Sequence, residues 1–177
     1  MMEIPSRIKT YLYTILQFPL QKISAQVATQ SKDGPHLRTM KLVDINVNGE
    51  LVFLTNLITQ KWKDLSLNQK MVVLIFDQAA SVQILCKGKV FLDTVVSQSE
   101  KVNHYWGNVR LSVKKVFYEN PALIDSTNAP SNFGVITLIP AYWEILEVNS
   151  KDYASSLKLG YVLGKNGWTE NEYQVKS

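Results

Sequence analysis

Short runs of alternating or apolar residues, cut by tight reversal signals, recur along this chain and constrain its fold more than any other feature. A first strand is expected over Ile23–Thr29. Ser31-Lys32-Asp33-Gly34-Pro35 then turns the chain, since Asp-Gly supplies positive backbone φ. A second strand is expected from His36 to Ile45, a turn at Asn46-Val47-Asn48-Gly49, and a third strand at Leu51–Thr55. Met71–Phe76 is apolar throughout, the pattern of a strand covered on both faces. Val82–Leu92 is another long strand, with Gly88 marking a bulge or bend. Val135–Ile139 and Trp143–Val148 follow, separated by Pro140-Ala141. Lys165-Asn166-Gly167 predicts a hairpin between Tyr161–Leu163 and Trp168-Thr169.

Helical spacing is confined to a few segments. Ile8, Leu12, Ile15 and Leu16 fit a helix over about 6–17, ended by Pro19. Thr59 reads as the N-cap of a helix starting at Gln60, with Trp62 and Leu65 on its inner edge. Ser97-Gln98-Ser99-Glu100 reads as a capping box before a helix carrying His104, Tyr105 and Trp106, and a further helix is expected over Leu111–Glu119. Strands joined by short turns, with few helices, imply a mainly β (α+β) chain closed into a barrel with helices outside it. One domain is expected over residues 1–177, a length that suits a single buried core.

The net charge of +4 favours an anionic ligand, but the lysines are scattered and form no basic stripe interleaved with aromatics. A nucleic-acid barrel is therefore disfavoured. Apolar runs fall short of a membrane span, and the first residues carry no secretory pattern. The lone Cys86 allows no intrachain disulfide and suits a reducing, cytoplasmic setting; mid-strand, it reads as a core thiol. Two histidines and one cysteine far apart offer neither a metal site nor a nucleophile–base pair.

The chemistry concentrates in three stretches. Arg38-Thr39-Met40-Lys41 lies on a strand where alternation sets Arg38, Met40 and Leu42 on one face and Thr39, Lys41 and Val43 on the other. Leu54-Thr55-Asn56 closes the next strand just before Thr59, Gln60 and Lys61, at a helix amino terminus where free amides favour a phosphate. A cation in a helix's first turn opposes the macrodipole, so Lys61 is either placed for an anion or simply a solvated surface lysine. Gln83 on a later strand is the third element.

The stretch from about 32 to 89 resembles the FMN-binding split-barrel family of pyridoxamine 5'-phosphate oxidase and the general stress proteins. Its motifs read here as Arg38-Thr39-Met40, Phe53-Leu54-Thr55-Asn56-Leu57-Ile58-Thr59-Gln60-Lys61 and Val82-Gln83 before Gly88. The resemblance implies a six-stranded split β-barrel with flanking helices and bound FMN. Arg38, Thr55, Thr59 and Lys61 would gather around the flavin phosphate, with Thr39, Met40, Lys41, Leu54, Asn56 and Gln60 beside them. Gln83 would reach the flavin from the partner subunit of a homodimer. Departures accompany the matches. Gln60 stands where many members have arginine, and Val43 where they have lysine. Leu146, Asp152 and Ala154 occupy the oxidases' Trp and Arg-x-His positions, so pyridoxamine phosphate oxidation is not implied. Tyr105 and Arg110 fall near a tyrosine and an arginine that hold the oxidases' substrate; the other reading of His104 and Tyr105 is a helix's partly buried face. Two functions remain open on this basis: a flavin-dependent oxidoreductase of unknown small-molecule substrate, or a non-catalytic stress-response module binding FMN, a deazaflavin or haem.

Overall fold

In the computed structural model, which describes residues 4–120, 122, 124–125 and 127–175, alternation of buried and exposed side chains organises nine antiparallel strands in one sheet. Helix α1 (Ser6–Thr10) runs into a π-helical turn (Tyr11–Ile15), so the expected helix over 6–17 changes pitch and stops two residues early. The strands are β1 (Ser24–Ser31), β2 (Gly34–Lys41), β3 (Asp44–Ile45), β4 (Leu51–Asn56), β5 (Lys70–Asp77), β6 (Val82–Thr94), β7 (Phe133–Glu147), β8 (Leu157–Gly164) and β9 (Gly167–Tyr173). Helix α2 (Gln60–Leu67) follows β4, while α3 (Ser99–Gly107) and the short α4 (Leu111–Lys114) follow β6.

The ladder runs β2-β1-β5-β6-β7-β4-β3, and the β8–β9 hairpin hangs from β7. It therefore does not close by hydrogen bonds as a barrel, and it holds nine strands rather than six. The chain steps between its ends at Leu42-Val43. The Leu42 amide donates to Ile23 beside β1, and the Val43 amide donates to Val52 of β4. This step interrupts the strand expected over His36–Ile45.

β7 is one strand where two were expected. It pairs with β4 through Phe133–Leu138 and with β8 through Tyr142–Glu147, and its register against β6 shifts at Lys87/Gly88, leaving Ala141 as the extra residue. Pro140 is tolerated because the ladder is already irregular there. Gly88 is required because a Cβ would lie 1.9 Å from the Ile139 carbonyl oxygen. At the β1–β2 turn, Gly34 alone takes positive φ (127°), with Lys32 and Asp33 between the paired Ser31 and Gly34.

Two apolar clusters share the sheet. The larger fills the inner face of β1, β5 and β6 and is capped by Ile8 of α1, Leu12 of the π-helical turn and Leu65 of α2. The smaller packs Val102, Tyr105 and Trp106 of α3 on Val52, Phe133 and Val135. The strands covered on both faces are thus β4 and the first half of β7. Met71–Phe76, expected to be doubly covered, buries alternate residues only and leaves Phe76 exposed. Ring contacts of 5.0–5.6 Å among Trp106, Phe117 and Phe133 fix the second cluster.

Neither helix start carries the expected side-chain cap. Ser97 Oγ accepts from the Thr94 amide instead, and α3 begins at Ser99 after Gln98. The helix expected over Leu111–Glu119 ends as a 3-10 turn at Phe117. No helix among the described residues is long and apolar enough to cross a membrane.

Candidate functional site

The two ends of the ladder face each other across a cleft of about 530 Å3, within the roughly 300–1,000 Å3 usual for cofactor and ligand sites. Thr39, Met40 and Lys41 of β2 and Leu42-Val43 form one bank; Leu54 of β4 and Lys61 of α2 lie opposite. Tyr105, Asn108, Val109, Arg110 and Val113 complete the wall, and Lys22 stands at the rim. The lining mixes an apolar middle with four cations, a donor set suited to an anion attached to an apolar ring system.

Five residues picked from the sequence, Thr39, Met40, Lys41, Leu54 and Lys61, therefore meet in one cavity. Arg38, Thr55, Asn56, Thr59 and Gln60 gather around the start of α2. Gln83 does not join them: it pairs with Phe76 and Leu146, with β5 and β1 lying between its strand and β2.

At the amino end of α2, Thr59 occupies the cap position but does not cap. Its hydroxyl donates to the Asn56 carbonyl at 2.7 Å and lies 3.0 Å from the Thr55 hydroxyl, so both threonines tie the turn together. The Asn56 side chain accepts from the Ile58 amide. The Trp62 and Lys63 amides bond to the Thr59 carbonyl, which leaves those of Gln60 and Lys61, among the described residues, as the helix's open end. Lys61 has no carboxylate within ion-pair distance among the described residues. Burial, and then the like charge of Arg38, lower its pKa. Two neighbouring cations beside free helix amides fit a phosphate group.

Beneath this end lies a buried carboxylate the sequence did not flag. Asp64 Oδ2 accepts from Thr29 Oγ1 at 2.7 Å and from Arg38 Nη2 at 3.2 Å, and lies 2.9 Å from His36 Nδ1. Its Oδ1 accepts from Gln60 Nε2 at 2.9 Å. Burial alone would push the carboxyl up, but hydrogen bonds from Thr29, His36 and Gln60 outweigh it and hold it at about 2. A carboxyl held below its ordinary value stabilises the fold while ionised. Its contribution of about 2 kcal/mol is thus complete above about pH 4 and lost as pH falls through 2. Acid titration of the melting temperature should show this loss in the wild type, and Asp64→Asn should flatten it.

The one signal for this cluster was hairpin register. A two-residue turn ending at Gly34 pairs Thr29 with His36 and Val27 with Arg38, which aligns three polar groups on one face. On the far wall, the Tyr105 hydroxyl donates to Asp44 Oδ2 at 2.9 Å. Burial, reinforced by that bond, pushes the phenol up. Tyr105 is thus an oriented, buried wall residue, whereas His104 beside it is exposed, so only Tyr105 belongs to the buried face.

No family model matches the chain, and no curated protein does. Solved structures do. A pyridoxamine 5'-phosphate oxidase-related, FMN binding protein from Nostoc punctiforme superposes with a TM-score of 0.82 at 15% identity, over 99% of this chain and 100% of that one. PhzG from Burkholderia lata, in complex with tetrahydrophenazine-1-carboxylic acid, gives 0.78 at 16% identity over 96% and 91%. General Stress Protein 26 from Bacillus anthracis gives 0.51 at 17% identity over 78% and 93%. Nine antiparallel strands, an open ladder and a cleft at its seam give this chain the split-barrel fold of the pyridoxamine 5'-phosphate oxidase-related proteins.

Proposed function

We propose that the chain is an FMN-binding flavoprotein, with the flavin phosphate at the amino end of α2 and the ring in the cleft. The observation that carries this reading is Lys61. It joins the open end of a helix to a mainly apolar cavity of suitable size and, among the described residues, has no carboxylate partner of its own. The Nostoc punctiforme neighbour, an FMN binding protein over the same length, supports it.

When bound, the flavin supplies the redox chemistry. The chain's own residues orient it: Lys61 and the α2 amides hold the anion, Met40, Leu42, Val43 and Leu54 exclude water from the ring, and Tyr105 and Arg110 face the open side. No side chain is assigned as acid or base, and the reaction is electron exchange with a small molecule. PhzG, a neighbour in complex with tetrahydrophenazine-1-carboxylic acid, supports a ring-bearing acid as the substrate class. The absorption spectrum of the freshly purified protein, followed by mass identification of the released cofactor, tests the reading. Flavin bands and FMN are expected. A deazaflavin or haem would overturn FMN, and a colourless protein that ignores added FMN would overturn the flavin site. Oxidation of NAD(P)H by the loaded protein separates an oxidoreductase from a binding module.

The outer face of the sheet supports a homodimer. Leu37, Ala28 and Val72 lie side by side across β2, β1 and β5, and Leu74 faces Leu85 beside the Phe76–Gln83 pair. Leu37 is 72% and Phe76 52% exposed, and an apolar sheet face of this extent is commonly an interface. Gln83 on this face would meet the flavin of the other subunit, as a site shared between protomers requires. Replacing Leu74 with Glu should give monomers in sedimentation equilibrium and lower FMN affinity; an undisturbed dimer would move the interface elsewhere.

A further inference from the structure

We propose that Asp64 is a positioning residue for the phosphate site, holding Arg38 and Gln60 in place for an anion that it never touches itself; this rests on the flavin reading above. Arg38 arrives on β2 and Gln60 on α2, and both are fastened to the two oxygens of this one carboxylate, at 3.2 and 2.9 Å. A second tether runs from Arg38 Nη1 to Thr29 Oγ1 at 2.7 Å, and that hydroxyl in turn donates to Asp64. Two tethers fix the plane of the guanidinium and leave the rest of its five N–H donors for a ligand. The Asp64 side chain is 1% exposed, so no ligand reaches it.

Charge alone argues against a carboxylate here. Buried beside the Arg38 guanidinium, it cancels part of that cation's pull on an anion, and isolating a charge from water is costly unless it is fully bonded. Asp64 is fully bonded, and what it returns is geometry. The arrangement divides the work. Lys61, with no acidic partner among the described residues, supplies the Coulombic attraction, while Arg38, its charge offset within the fold, supplies directed hydrogen bonds.

The two roles predict opposite signs. If Asp64 acts only through charge, Asp64→Asn makes the site more positive and tightens FMN; if it positions Arg38, the same change weakens FMN. Flavin-fluorescence titrations of the wild type, Asp64→Asn, Arg38→Ala and the double variant decide this, each with FMN and with riboflavin, which lacks the phosphate. The positioning role predicts about tenfold weaker FMN binding in Asp64→Asn, unchanged riboflavin binding, and a smaller further loss, that of Gln60 alone, when the substitution is added to Arg38→Ala. If Asp64→Asn fails to fold by circular dichroism, Thr29→Val carries the same test, since it cuts the second tether and keeps the carboxylate. FMN binding that stays equal or tightens, or an equal loss for both flavins, overturns the positioning role alone. A wild-type chain that binds neither flavin overturns the flavin reading and this proposal together.

Discussion

Lys61→Ala and Arg38→Ala are each expected to weaken FMN binding by about 1.5–3 kcal/mol, the range for hydrogen bonds to charged groups. That is roughly a ten- to hundred-fold rise in Kd by fluorescence titration. The two variants should differ in every other respect. Lys61 sits half-buried beside Arg38 with its pKa lowered by that burial and that neighbour. Truncating it removes a like-charge repulsion, so the unliganded fold should be no less stable. Arg38 is bonded to the buried Asp64 and to Thr29. Removing it takes one of four partners from a buried carboxylate that keeps Thr29, His36 and Gln60, and losing a hydrogen bond to a charged group costs about 1.5–3 kcal/mol. Arg38→Ala should therefore lose both affinity and melting temperature, Lys61→Ala affinity alone. Unchanged affinity in both would place the phosphate elsewhere.

Gly88→Val should have the largest effect on the fold. A Cβ at this position would lie 1.9 Å from the Ile139 carbonyl oxygen and 2.8 Å from its carbon, both backbone atoms that cannot rotate away. The overlap falls where β7 shifts register around Ala141, so relief would require breaking the longest ladder in the sheet. A loss of about 4 kcal/mol or more is expected, which for a chain of this size lowers the melting temperature by about 10 °C or more. Gly107 is the control. A Cβ there meets nothing within 4 Å, and its φ is not positive, so Gly107→Ala should be close to neutral. Equal effects at both glycines would mean that backbone overlap does not govern Gly88.

Local signals in the sequence located most strands and both tight hairpins, because reversals and alternation act within a few residues. They failed where tertiary context decided. Pro140-Ala141 looked like a break, yet β7 runs through it because the flanking halves serve different partners. Met71–Phe76 and Val135–Ile139 are both apolar runs; only packing by α3 makes the second doubly buried. Thr59 and Ser97 have the residue type of caps, but closer acceptors and donors in their own turns claim them. Much of the candidate site was legible because its residues share two strand ends. Asp64 was not: a carboxylate one helical turn after Gln60 reads as solvated until the hairpin brings Thr29, His36 and Arg38 over it.

The seam at Leu42-Val43 has a bearing on how this scaffold can vary. Within a sheet, hydrogen bonds fix neighbouring strands about 4.8 Å apart, so spacing comes in set increments. Between β2 and β4 no ladder runs, and the gap is gauged by side chains on its two banks. Its width is therefore continuously adjustable. Substitutions at the half-buried Val43 or Leu54 can refit the slot to a thicker or thinner ring while every strand pairing elsewhere stays as it is.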